Sequence, residues 1–140
     1  MKVIVDTVVW SLALRRSSPC DEARRELTSL IEDQRVILLG PIRQEVLSGY
    51  SEESRFARLR SKLAYFENEP ILDEDYVQAA RFHNDCRRQG IQGSHTDFLI
   101  CACAVRLRAL IYTKDEDFRR YRGVLPISLY EEGGSGNRRP

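Results

Sequence analysis

Four acidic residues of this 140-residue chain, Asp6, Glu45, Asp97 and Asp115, stand where an α/β sheet could gather them. Asp6 closes an apolar run, Glu45 lies just past a second one, Asp97 opens a long apolar helix, and Asp115 follows a third apolar run by a few residues. Carboxylates brought together repel, so a cluster of them is costly unless a cation or protons neutralise it. Donor sets made only of oxygen favour hard cations, which points to Mg²⁺ or Mn²⁺, whereas zinc would want histidine or thiolate. A divalent pair about 4 Å apart can activate water and stabilise the leaving oxygen of a phosphodiester without any nucleophilic side chain.

The elements that must position these acids can be read in order. Lys2 to Asp6 is β-branched and apolar, a short buried strand ending in an acid. Helices follow over Thr7–Arg15 and Asp21–Asp33, with Pro19 and Asp21 as start signals for the second and Leu27, Leu30 and Ile31 as its apolar stripe. Arg35 to Leu39 is the next strand, and Pro41 opens a helix that carries Glu45 about one turn in. A helix restarts at Ser51–Glu53 and runs to about Phe66, and Pro70–Leu72 is extended. Asp73 caps a long helix ending at Gly90. Ser94 caps the next helix, with Asp97 completing a Ser-x-x-Asp capping box ahead of the run FLICACAVRLRAL, apolar enough on all sides to be central. Leu110–Thr113 is a third strand, Asp115–Tyr121 a helical turn and Leu125–Ser128 a fourth strand.

Strands separated by helices require crossovers that cover a sheet, so the fold class is an α/β sandwich with a mainly parallel sheet. Ligands of such sheets bind at the carboxyl ends of the strands, where Asp6, Glu45 and Asp115 all fall. Each acid also has a plain structural reading. Asp97 can be a helix cap, Asp115 and Asp117 helix-start residues, and Glu45 a solvated acid in a first turn. Asp6 resists that reading, since an aspartate ending a VIV strand is partly buried and such residues rarely lack a partner.

Other residues tempt less. His83 and His95 are the chain's two histidines; His95 reads as a residue at a helix start and His83 as solvated on an arginine-rich helix. Arg43 can steer phosphate or be a surface arginine, and Trp10 can stack a base or, as the better reading, fill core or a dimer surface. Cys20, Cys86, Cys101 and Cys103 form no CxxC pair and read as small apolar fillers in a reducing compartment rather than a zinc or redox site. Phosphate-loop and dinucleotide glycine motifs are absent, which disfavours P-loop hydrolysis and a dinucleotide cofactor.

Composition sets broad limits. The 42% hydrophobic and 31% charged residues suit one globular domain, residues 1–130, followed by a polar, glycine-rich tail over 131–140 expected to be disordered. No apolar run approaches the roughly 18 residues of a membrane span, and the opening MKVIVD lacks a signal-peptide pattern, so a cytoplasmic location without membrane contact is expected. The net charge of +1 neither favours nor excludes a phosphate-bearing substrate, because 22 cations can still build a local basic surface.

Four segments together resemble the PIN-domain family, especially the VapC toxins of toxin–antitoxin pairs. MKVIVDTVVW resembles its opening strand and acid, GPIRQEVLSGY its second motif, SHTDFLICACAV its third, and IYTKDEDFRRYRGVLPISLY its fourth, in the family's order and nearly to Tyr130. The resemblance implies a PIN-like three-layer α/β/α sandwich and Mg²⁺- or Mn²⁺-dependent endonucleolytic cleavage of RNA. It implies that Asp6, Glu45, Asp97 and Asp115 are catalytic and bind the metal, that Thr7 orients the metal or its water, and that Thr113 supports the fourth acid. Asp117 is a fifth candidate: either aspartate of TKDEDF can point inward, because a two-residue offset on a helix separates them by about 200°, and Asp115 is preferred as nearer the strand end. A cognate antitoxin whose tail covers the site, and a homodimer, are implied as well. An RNA-processing or structure-specific nuclease outside such pairs, or a non-catalytic interaction module on the same fold, are the alternatives.

Overall fold

Three β-branched residues in a row make β1 (Val3–Val5), and all three are buried, as expected of a strand covered on both faces. Between β2 (Val36–Ile37) and β3 (Leu110–Tyr112), β1 occupies the middle of a parallel sheet of order β2-β1-β3. Val3 pairs with Val36 and Leu110, and Ile4 with Ile37 and Ile111, so the carboxyl ends of the three strands share one edge. Residues 1–14 and 20–133 are described by this computed structural model. Arg15, Pro19 and the tail residues 134–140, on which parts of the sequence reading fall, lie outside them.

Parallel strands cannot be joined by tight turns, and the crossovers here are helical. Between β1 and β2 run α1 (Thr7–Leu14) and α2 (Asp21–Glu32); between β2 and β3 run α3 (Gly40–Ser48), α4 (Glu53–Leu63), α5 (Asp73–Arg88) and α6 (His95–Leu107). The short α7 (Asp117–Arg122) follows β3. Helices thus flank a central parallel sheet in the expected α/β/α arrangement. From Phe98 to Ala104 every residue of α6 is buried, and its small side chains let α5 pack closely against it. Among the described residues no helix is long and apolar enough to cross a membrane.

Several boundaries differ from expectation for identifiable reasons. The fourth strand, expected over Leu125–Ser128, shrinks to one parallel bridge between Leu129 and Ile111. Pro126 has no N–H to donate, so pairing begins only where Ile111 N–H reaches Ser128 O at 3.0 Å and Tyr130 N–H reaches Ile111 O at 2.8 Å. On the other sheet edge an unforeseen bridge joins Leu38 to Asn68. Arg43 holds that loop, donating to Asn68 Oδ1 at 2.8 Å, to Leu63 O at 2.9 Å and to Phe66 O. Its guanidinium is therefore committed to the loop after α4. Helix α4 stops at Leu63, short of Phe66.

The cap of α5 is Leu72 rather than Asp73, and its N–H donates to the Asp75 carboxylate at 2.9 Å. Asp75 is buried and paired with Arg106 of α6 at 2.8 Å, a lock between the two helices. Burial pushes its carboxyl up, but the hydrogen bonds and charge of Arg106 and Leu72 N–H outweigh that and hold it below the usual value. Trp10 is core, set edge-on to Phe66 at 5.5 Å. Cys86, Cys101 and Cys103 are buried and unbridged, and burial pushes the Cys103 thiol up to about 12.

Candidate active site

The strand ladder itself delivers Asp6. Its N–H donates to Tyr112 O at 2.8 Å, extending the β1–β3 pairing by one residue and fixing the carboxylate at the carboxyl edge of the sheet. Each carboxylate oxygen then receives one donor: Thr7 N–H reaches Oδ1 and the Thr113 hydroxyl reaches Oδ2, both at 2.8 Å. Asp6 is only 7% exposed. Burial raises its pKa, the two hydrogen bonds oppose that rise, and the nearby charges of Asp97 and Asp115 add to it.

Asp97 reaches the same edge from the first turn of α6. The Ser94 hydroxyl accepts from its N–H at 3.0 Å, the capping bond read from the sequence. Its carboxylate accepts from the Tyr121 hydroxyl at 2.7 Å. Burial raises this pKa too, the Tyr121 and Ser94 hydroxyls lower it, and the charges of Asp115 and Asp117 raise it. Tyr121 is fully buried, and burial and the Asp97 charge push its phenol far up, so it stays protonated and donates.

Glu45 is exposed on α3 and comes in through Thr7, whose hydroxyl donates to it at 2.8 Å. Asp115 stands before α7 rather than in it. Its N–H donates to the Thr113 hydroxyl at 3.0 Å, and it accepts from Asp117 N–H at 2.9 Å. The two aspartates left open by the sequence have different surroundings: Asp117 is ion-paired with Arg120, while Asp115 adds its charge to both Asp6 and Asp97.

The structure thus groups Asp6, Asp97 and Asp115, with Asp117 at the margin and Glu45 attached through Thr7. Among the described residues no lysine or arginine forms an ion pair with Asp6, Glu45, Asp97 or Asp115. Lys114, between Thr113 and Asp115, turns to Glu132 at 2.6 Å and Glu22 at 3.5 Å instead. Asp75 shows what a buried acid does here when it has a cation: its pKa falls, where those of Asp6 and Asp97 rise. An oxygen-only donor set with uncompensated, partly buried negative charge fits a hard divalent cation in kind. No three acids, histidines or cysteines among the described residues are grouped to hold one ion as they stand.

Sequence reasoning missed Tyr121 and Gly93. A tyrosine on a short helix reads as core, which it also is. Gly93 is required by close approach: a Cβ there would lie 2.3 Å from the Tyr121 hydroxyl. It also misjudged His83, which is half-buried and stacked on His95 rather than solvated.

A sequence profile of the PIN domain matches residues 3–124. In fold the chain is similar to FitAcB from Neisseria gonorrhoeae (TM-score 0.76, 20% identity, covering 92% of this chain and 96% of that one). It is likewise similar to VapBC2 from Rickettsia felis bound to a DNA fragment from its promoter (TM-score 0.74, 16% identity, 92% and 97% covered). A third is a toxin–antitoxin complex from Klebsiella pneumoniae (TM-score 0.64, 21% identity, 91% and 100% covered). No curated protein matches the sequence.

Proposed function

Because this chain belongs to the PIN-domain family, we propose that it is a divalent-metal-dependent endoribonuclease and the toxin of a toxin–antitoxin pair. One observation carries the reading: Asp6 and Asp97 are partly buried, repelled by neighbouring acids, and lack a cationic side chain among the described residues. A fold that retains such a costly group has a use for positive charge there.

Asp6, Asp97 and Asp115 would hold the ion, Mg²⁺ or Mn²⁺, and Glu45 supplies an exposed carboxylate at the rim. When bound, the ion supplies Lewis acidity toward water and phosphate oxygens. The chain's own groups do the positioning. Thr113 and Thr7 N–H fix the Asp6 carboxylate, Tyr121 fixes that of Asp97, and the Thr7 hydroxyl keeps Glu45 turned to the edge. Glu45 is the exposed acid able to take a proton from an attacking water. Asp117, held by Arg120, is an outer member of the group.

One solved structure that the fold resembles is a toxin–antitoxin complex, and this supports an antitoxin as partner, with a homodimer and a cytoplasmic setting following from the same reading. The test is cleavage of a structured RNA mixture with Mg²⁺, with Mn²⁺ and with EDTA, beside Asp6→Asn. Cutting should require metal and vanish in the variant. Identical behaviour of the two proteins, with no metal binding by calorimetry, would leave a partner-binding module on the same fold.

A further inference from the structure

A groove of about 420 Å³ opens between α5 and α6, lined in part by Tyr76, Ala80, His83, Arg87, His95 and Leu99. It adjoins the acid cluster across the first turn of α6. His95, Thr96 and Leu99 face the groove, and the intervening Asp97 faces the acids. A continuous aromatic path links the two. The His83 and His95 rings lie nearly parallel at 5.3 Å and 18°, and His83 meets Phe98 edge-on at 5.2 Å. Phe98 touches Tyr121 at 5.0 Å, and Tyr121 donates to Asp97.

The chemistry of this groove is that of a flat, hydrogen-bonding aromatic. His95, one face of which stacks on His83, is exposed, and Tyr76 is 54% exposed. Ala79, Ala80 and Leu99 form an apolar floor. At one end, where Arg87 donates to Asn84 Oδ1 at 2.6 Å, the Asn84 amide N–H₂ and the other guanidinium N–H groups remain as donors among the lining side chains. Donors beside stacking faces match the ring nitrogens and carbonyl oxygens of a nucleobase, and single-stranded RNA is bound through such stacking on aromatic and histidine side chains.

We propose that the groove holds one unpaired base of the RNA strand, beside the phosphodiester presented to the acids. The inference rests on the nuclease reading, and selects RNA whose bases are splayed out of a helix near the cut. Stacking of one base contributes roughly fivefold to a hundredfold in affinity.

The test uses a hexaribonucleotide carrying 2-aminopurine at each position in turn, titrated in EDTA so that no cutting occurs. One position should be quenched on binding, in the wild type and in Asp6→Asn alike. His95→Leu and Tyr76→Leu should each weaken binding on the order of tenfold and lift the quenching. The groove assignment falls if no position is quenched, or if both leucine variants bind as the wild type does. It also falls if they weaken binding only by converting a dimer to a monomer in sedimentation, which would make this face a subunit contact. Cleavage of the same oligonucleotide in Mn²⁺ separates the two ideas. Cutting without His95-dependent quenching leaves the nuclease and removes the groove, whereas quenching without cutting does the reverse.

Discussion

The Thr113 hydroxyl donates to Asp6 Oδ2 and accepts from Asp115 N–H, so one oxygen atom ties the end of β1 to the loop that carries a second acid. Valine is nearly isosteric but can do neither. Thr113→Val should destabilise the fold by about 1–3 kcal/mol, the cost of leaving buried polar groups without partners, and should reduce RNA cleavage. Thr113→Ser should restore both. Denaturant unfolding beside the cleavage assay checks this, and a valine variant as stable as the wild type would break the link.

Asp6 gives a prediction with an unusual sign. Its folded-state pKa is raised by burial first and by Asp97 and Asp115 in addition. The ionised carboxylate therefore destabilises the fold above its folded pKa, and the penalty disappears as pH falls below the ordinary value of 3.8. In EDTA at pH 7, Asp6→Asn should melt a few degrees higher than the wild type, the shift expected of about 1 kcal/mol. Saturating Mn²⁺ should stabilise the wild type and leave the variant unmoved. An asparagine variant that melts lower in EDTA would mean that the carboxylate is already neutralised by something else.

The opposite sign holds for Asp75. Burial disfavours its charge, but Arg106 and Leu72 N–H more than offset that and depress its pKa. The pair's stabilisation is complete above the ordinary carboxylate value and is lost as pH falls through the depressed one. Arg106→Leu should cost about 2–3 kcal/mol at pH 7, less than a fully buried pair because Arg106 is 27% exposed. The difference from the wild type in melting temperature should be flat from pH 5 to pH 8 and shrink below about pH 4. A constant difference down to pH 2 would show that packing, not charge, carries the effect.

Gly93 and Tyr121 should behave as a unit. Gly93→Ala puts a methyl group against the phenol, at an expected cost of about 1–3 kcal/mol, and pushes the hydroxyl off Asp97. In a Tyr121→Phe background the nearest clash is gone, so the same alanine should cost less. A double-mutant cycle by denaturant unfolding reads this, and strictly additive losses would contradict it.

The elements legible in the sequence are those whose signals are local. β1 was plain because three consecutive apolar β-branched residues followed by an acid have few other readings. Asp97 on α6 was plain because Ser94 and the apolar run mark a helix start on their own. The Asn68 bridge was invisible, since its partners Leu38 and Arg43 are remote and ENEP shows no strand pattern. Tyr121 escaped for the same reason. Its role comes from a contact across 24 residues, and nothing in DFRRYR records which atom the hydroxyl meets. Asp75 was hidden by its neighbours, because Asp73, Glu74 and Asp75 look alike until packing against Arg106 selects one.

The long reach of these contacts also bears on when the acid cluster can form. Asp6 is made 107 residues before its hydroxyl partner, and the phenol that holds Asp97 comes later still. Domains tend to fold as units during synthesis, and no growing chain that stops short of Tyr121 contains the assembled cluster. Products ended before Tyr121 therefore lack it, and whatever activity it supports arrives only once the chain has been made through that residue.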